Sequence, residues 1–209
     1  RDAGASTPHA TNDQTPASRS DAASGNRAGQ TSCVALRDAL PGDADAIDAV
    51  LRAAFPSDDE AKLVRALRDA GDLPIELVAE FDGQVIGHVA FSPVTVTPTA
   101  DDAKPGFSNP RFRALALAPL AVHPDHQRRG VGQALTRLGL RQCEDARIAA
   151  VFVLGHADYY AALGFDAADP LGYTNPFGAG DAFRVRLLNN TEPTTGELQY
   201  APAFGALGA

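Results

Sequence analysis

The chain of 209 residues is 44% hydrophobic and 21% charged, a balance that suits one globular domain with its own apolar core and requires neither disulfides nor a metal. No apolar run approaches the ~18 residues needed to cross a bilayer, and no apolar stretch follows Arg1 as a secretory signal requires, so no membrane partner is expected. The formal charge of −8, from 18 basic and 26 acidic residues, repels phosphate backbones, disfavours a nucleic-acid partner and weakly steers cations toward the surface.

Residues 1–32 contain no Leu, Ile, Val, Phe or Tyr, and their three Arg balance three Asp. Such a block cannot bury enough apolar surface to offset the entropy of ordering, so it is expected to be a flexible low-complexity tail preceding a domain at residues 33–209. The domain opens with a strand at Cys33 to Arg37 and a turn at Pro41-Gly42. Asp43 then caps a helix whose apolar face is Ala46, Ile47, Val50, Leu51 and Ala54. Ser57 reads as the cap of a second helix, with Glu60 as its capping-box partner and Ala61, Val64, Ala66 and Leu67 turned inward as far as Gly71. A hairpin follows, Ile75 to Phe81 and Gln84 to Thr97, joined by Asp82-Gly83.

Residues 98–110 are a Pro-, Gly- and Asp-rich loop. The strand from Phe112 to Val122 is interrupted by Pro119, where a missing ladder hydrogen bond predicts a bulge or a splay. Gly130 to about Ala146 has helical period, with Val131, Ala134, Leu135 and Leu138 on one face. Ala149 to Leu154 reads as a buried central strand. A short helix, Asp158 to Leu163, ends at Gly164; Phe165, Phe183 to Leu188 and Gly196 to Tyr200 begin or form the last strands, with an irregular stretch from Pro170 to Gly180. The order implies a mixed α/β fold, one central sheet flanked by helices. Cys33 and Cys143 lack metal-ligand spacing and are expected to be buried thiols, in keeping with a reducing, cytoplasmic setting. No His/Cys/Asp cluster has metal-site spacing, so no metal is expected.

The chemistry is concentrated where Leu120-Ala121-Val122 runs into Gln127-Arg128-Arg129-Gly130-Val131-Gly132-Gln133-Ala134. A strand enters a basic, glycine-containing turn that opens directly into a helix. The first turn of a helix has amides without intrahelical partners, and its dipole favours anions. Glycines at 130 and 132 let a phosphate approach the backbone, while Arg128 and Arg129 add charge. The third glycine of a dinucleotide fingerprint is absent, since Leu135 stands there, and no Gly-Lys-Ser/Thr ending exists. On this loop alone, a plain helix start with tolerated glycines and exposed arginines remains open.

The run Gln127-Arg-Arg-Gly130-Val-Gly132, the preceding Leu120-Ala-Val-His-Pro124 and the downstream Tyr160-Ala-Ala-Leu-Gly164-Phe165 together resemble the motifs of the GNAT superfamily of N-acetyltransferases, over about residues 33–168. Ala118-Pro-Leu-Ala-Val122 and Val153-Leu-Gly-His156 are similar to its YhbS-like branch in particular. The resemblance implies a GNAT-like fold with splayed strands at an acetyl-CoA site. Backbone groups of Leu120, Ala121 and Val122 would hold the pantetheine arm; the turn and helix start at Gln127, Arg128, Arg129, Gly130, Val131, Gly132, Gln133 and Ala134 would bind the cofactor, with the amides of about Arg128 to Gln133 on the pyrophosphate.

The implied reaction is direct attack of an amine on the thioester. Tyr160 is the expected catalytic acid, by its place in the family motif, with Tyr159 as the fallback. Many relatives carry a Glu on the strand before the motif, whereas Phe112 to Val122 contains no acidic residue, so the base is sought among Glu80, His88 and His156. His123 and His126 flank the cofactor turn and are expected to face solvent or cap it. The partners implied are acetyl-CoA and an amine acceptor, a small molecule or a protein amine, with the loops at 98–110 and 170–180 as its walls; homodimerisation is left open. The competing reading is a GNAT-fold sensor that binds acyl-CoA without turnover.

Overall fold

Apolar and β-branched runs separated by tight turns build most of the chain into one mixed sheet. The computed structural model describes residues 33–98, 109, 111–178 and 180–206; the expected tail at residues 1–32 and most of the loop at 98–110 lie outside the described residues. In chain order the elements are β1 (Ala35–Asp38), α1 (Ala44–Ala54), α2 (Asp59–Ala70), β2 (Ile75–Phe81), β3 (Gln84–Thr97), β4 (Ala114–Val122), α3 (Val131–Asp145), β5 (Ala150–Leu154), α4 (Ala157–Ala161), β6 (Asp166–Ala167), β7 (Tyr173–Thr174), β8 (Phe183–Leu187) and β9 (Gly196–Tyr200). Strand order across the sheet is β1-β2-β3-β4-β5-β8-β6, and β9 pairs with both β3 and β7. The β4–β5 pair is parallel while β2–β3 and β3–β4 are antiparallel, which is the expected mixed α/β architecture.

The β2–β3 hairpin turns at Asp82 (φ 50°) and Gly83 (φ 78°), two left-handed residues whose twist matches that of the flanking strands. Alternation along β2 then sorts side chains between two helical layers. Val78 meets Ile47, Val50 and Leu51 of α1 and Val64 of α2. Leu77 and Ala79 meet Val131, Leu135 and Cys143 of α3. Within α3, Gly139 lies against the sheet so closely that a Cβ there would fall 2.2 Å from Phe91 Cε2.

Three local expectations are corrected. Asp43 stands before α1, but its carboxylate makes no cap bond to that helix; it accepts from the Leu40 amide at 2.7 Å and from Arg37 at 2.6 and 3.0 Å. The second helix begins later than Ser57 implies, with Asp58 at its N-cap, so Glu60 stands too early in the first turn to serve as a capping-box partner. Cys33 is exposed and only Cys143 is buried, because β1 starts at Ala35 and its pairing with β2 runs from Ala35 to Asp38, so Cys33 lies outside the sheet.

The proline in β4 does what its missing amide requires. Val89 pairs with Leu120 and Phe91 with Leu117, so Ala118 and Pro119 stand opposite Ala90 alone, a bulge of one residue. On its other side β4 pairs with β5 only from Ala114 to Ala116. Beyond the bulge the two parallel strands part, and a gap opens between them.

Candidate functional site

That gap is the centre of a cavity of about 1130 Å³, at or above the upper end of the roughly 300–1,000 Å³ usual for small-molecule sites. Leu120 and Val122 of β4 wall one side, Val153 and Leu154 of β5 the other, and the start of α3 closes one end. Antiparallel pairing directs backbone groups alternately toward and away from the neighbour. The His123 amide bonds Ile86 O of β3 at 2.8 Å, and Ala121, two residues earlier, faces β3 likewise. Leu120 and Val122 therefore direct their N–H and C=O groups into the gap. Ala121 is turned away from it, and its methyl is buried against α1. Its expected contact with a ligand is not supported by this placement.

At the end of the gap Gln127 is extended, Arg128 is left-handed at φ 58° and Gly130 left-handed at φ 82°. A non-glycine residue held in that region is uncommon and concentrates at functional loops. The Gln127 amide group donates to Val122 O at 3.0 Å, which ties the turn to the end of β4. Gly130 is the N-cap of α3, and Ala134 N donates to Gly130 O at 2.9 Å as the first helical bond. Val131, Gly132 and Gln133 then keep first-turn amides without helical acceptors, and all three residues line the cavity with Arg128 and Gly130. Ala134 has spent its amide in the helix and drops out of the expected set. Arg129 is exposed and does not line the cavity, so of the two arginines only Arg128 is on the wall.

Tyr159 and Tyr160 both line the cavity from α4, their rings edge-to-face with centroids 5.0 Å apart. Burial pushes both phenols above their ordinary pKa, Tyr160 further than Tyr159. The Tyr159 hydroxyl is buried, faces Thr136 and lies 2.9 Å from where a Cβ on Gly132 would stand. The tyrosine pair thus touches the helix start as well as the gap.

Of the three expected bases, only His156 reaches the cavity. Glu80 is held by Arg37 at 2.8 and 3.0 Å on the β1–β2 edge. His88 is wholly buried, with Nε2 3.0 Å from Glu76 Oε1 and Glu76 in turn bound by Arg68 at 2.5 Å; burial lowers its pKa. Both are structural groups here. His123 caps the turn after β4 by accepting from Asp125 N at 3.4 Å, while His126 reaches the cavity. Among the described residues no group of His, Cys, Asp or Glu is arranged to hold a metal, and no helix is long and apolar enough to cross a membrane.

The far end of the cavity was not read from the sequence. Phe55 precedes α2, Glu60 and Leu63 lie on it, and Phe177, Tyr200 and Phe204 come from distant segments; all six line the wall. Phe177 belongs to the irregular stretch expected to border an acceptor. For the others no short-range pattern exists, since each reads locally as helix or strand filling.

Residues 44–165 match the model of a family described as the acetyltransferase (GNAT) family. The chain is 41% identical over 174 residues to a protein of Escherichia coli (strain K12) named as the uncharacterized N-acetyltransferase YhbS, across 81% of this chain and 97% of that one. It is 37% identical over 138 residues to another protein of that strain, the uncharacterized N-acetyltransferase YjhQ, across 65% and 71%. Among solved structures it is similar to Escherichia coli YhbS in complex with CoA, with a TM-score of 0.74 and 36% identity over 84% of this chain and 93% of that one. A GNAT family acetyltransferase from Brucella melitensis in complex with acetyl-CoA superposes with a TM-score of 0.64 and 33% identity, over 82% and 98%.

Proposed function

The chain belongs to the acetyltransferase (GNAT) family, and from that premise we propose that it transfers an acetyl group from acetyl-CoA to a primary amine by direct attack. One observation carries the reading: the gap between β4 and β5 leads onto three unpaired first-turn amides of α3 beside Arg128. Two solved relatives that hold CoA or acetyl-CoA support it.

The residues present fit such a ligand. Acetyl-CoA supplies an activated thioester carbonyl at one end and a pyrophosphate at the other. The amides of Val131, Gly132 and Gln133 and the Arg128 guanidinium would take the pyrophosphate. The outward N–H and C=O of Leu120 and the N–H of Val122, whose carbonyl already accepts from Gln127, would bond the pantetheine arm as a strand partner would. Gly132 leaves the junction open: a Cβ there would lie 2.9 Å from Tyr159 Oη and 3.6 Å from Val122 Cγ2.

Holding the amine in the gap supplies much of the acceleration, because a bimolecular encounter becomes a positioned one. A gap-facing amide of Leu120 or Val122 can donate to the carbonyl oxygen as negative charge develops there. Attack forms the C–N bond and breaks the C–S bond. Tyr160, kept protonated at neutral pH by burial, is the proposed proton donor to the departing sulfur. The proton that the amine must lose passes to His156, which lines the cavity, or to water. Measuring thiol release from acetyl-CoA with a panel of primary amines tests this. Tyr160→Phe is expected to lower kcat about 10²–10⁴-fold with little change in KM for acetyl-CoA. A twofold effect removes Tyr160 from the chemistry. Binding of acetyl-CoA without thiol release for any amine would favour the acyl-CoA sensor instead.

A further inference from the structure

Away from the α3 end, the cavity carries an unpaired carboxylate among aromatic rings. Glu60 Oε2 is buried and has no hydrogen-bond partner among the described residues, although Glu60 lines the cavity. Neighbouring carboxylates on the same helical face and its flanks are matched: Asp58 by Arg52, Asp59 by Lys62, Asp48 by Arg52 and Arg65. A carboxylate oxygen removed from water without a partner is unfavourable, and a cation entering the cavity would supply the partner. Leu63, one turn further along α2, packs in the same cluster as Ala118 of the β4 bulge. Glu60 therefore faces the bulge end of the gap rather than the helix start that suits phosphate.

The surrounding wall suits the rest of such a ligand. Phe177 and Tyr200 have ring centroids 5.1 Å apart, Tyr200 and Phe204 5.1 Å, and Phe177 and Phe204 6.3 Å. With Phe55 and Glu60 they line the cavity, and Leu63, one turn from Glu60 on α2, packs with Tyr200 and Phe204. Phe177 is 45% exposed, a large apolar ring left at the mouth. Aromatic faces attract ammonium ions and bury apolar or aromatic bodies. Among the described residues the one arginine or lysine on the wall is Arg128, at the α3 end.

We propose that this end of the cavity is the acceptor subsite, specific for a primary ammonium carried on an apolar or aromatic body, with Glu60 binding the ammonium and Phe55, Phe177, Tyr200 and Phe204 holding the body. The assignment rests on the acetyltransferase reading for the word acceptor, but the ammonium site itself is defined by Glu60 and the rings.

The test is calorimetric titration of the CoA-saturated protein with two matched pairs: 2-phenylethylamine against 2-phenylethanol, and n-hexylamine against 1-hexanol. Wild type is expected to bind each amine at least tenfold more tightly than its alcohol. Glu60→Gln should abolish that preference, leaving alcohol affinity and CoA affinity within twofold of wild type. Phe177→Ala should weaken the phenyl pair about tenfold and keep the amine preference. Equal affinity of amines and alcohols in wild type, or a preference that survives Glu60→Gln, overturns the proposal. Should wild type fail to bind CoA, the acetyltransferase reading fails by itself, and the same four titrations on the protein alone still decide the ammonium site.

Discussion

Replacing Gly139 by alanine measures how tightly α3, and with it the proposed phosphate site, is seated on the sheet. A Cβ at Gly139 would stand 2.2 Å from Phe91 Cε2 and 2.4 Å from Cζ, against about 3.5–4.0 Å for relaxed carbon–carbon contact. Ring or helix must therefore retreat by more than roughly 1 Å. Phe91 is fully buried, and its backbone is held between Ile75 of β2 and Leu117 of β4, so the ring cannot yield cheaply. Overpacking of this kind costs about 1–3 kcal/mol, and the size of the overlap places it at the upper end. Alanine recovers about 1 kcal/mol over glycine in a helix interior. The net loss is about 2 kcal/mol, or about 4–8 °C in Tm for a domain of this size. Thermal and urea unfolding of the variant check this, and Phe91→Leu supplies the other edge of a double-mutant cycle. With the ring edge gone, Gly139→Ala should become neutral or slightly stabilising. A rise in Tm in the wild-type background, or an equal penalty in both backgrounds, refutes the close packing of α3 on β3.

Thiol labelling at pH 8 should find one fast cysteine, the exposed Cys33, whereas Cys143 is buried with its thiol pushed up to about 12 and should react only on unfolding; fast double labelling contradicts its burial. Acid should weaken the fold from about pH 6.5 downward. Burial holds His88 below its ordinary 6.5, so the unfolded chain binds more protons as pH falls through that value. Glu76 adds to the loss in more acidic solution: burial opposes its charge, but the hydrogen bonds from His88 and Arg68 hold it below 4.5. Stability should then fall with decreasing pH by up to about 1.4 kcal/mol per unit, and His88→Asn should flatten the slope of Tm between pH 6.5 and 5. An unchanged slope would place the titrating group elsewhere.

Much of this was legible because it is local. Asp82-Gly83 demands positive φ at two successive residues and so announced the hairpin. The glycines before Val131 announced an open helix start, and Pro119 announced the bulge that frees the gap-facing edge of β4. Which backbone groups face the gap was not legible, since that depends on the register with β3, and it is the register that removes Ala121. Ala134 follows the same turn in sequence, but helix geometry spends its amide on Gly130. Glu60 was misread because Ser57-x-x-Glu60 imitates a capping box; the helix begins later, and the carboxylate turns to the cavity. The aromatic wall joins Phe55 to Phe177, Tyr200 and Phe204 across more than half the chain, and it forms only when β9 pairs with the far half of β3.

Calorimetric titration with acetyl-CoA of wild type, Gly132→Asp and Gln133→Glu tests the site most directly. Acidic residues in a helix first turn favour the helix, so Gln133→Glu should keep its fold, while Gly132→Asp also displaces the Tyr159 hydroxyl, 2.9 Å from its Cβ; each sets a negative charge against the expected pyrophosphate. Micromolar binding by wild type, weakened at least tenfold in both variants and at unchanged Tm in Gln133→Glu, is the expected result. No binding by wild type, or undiminished binding by both variants, would contradict the assignment of the α3 start as the acetyl-CoA phosphate site.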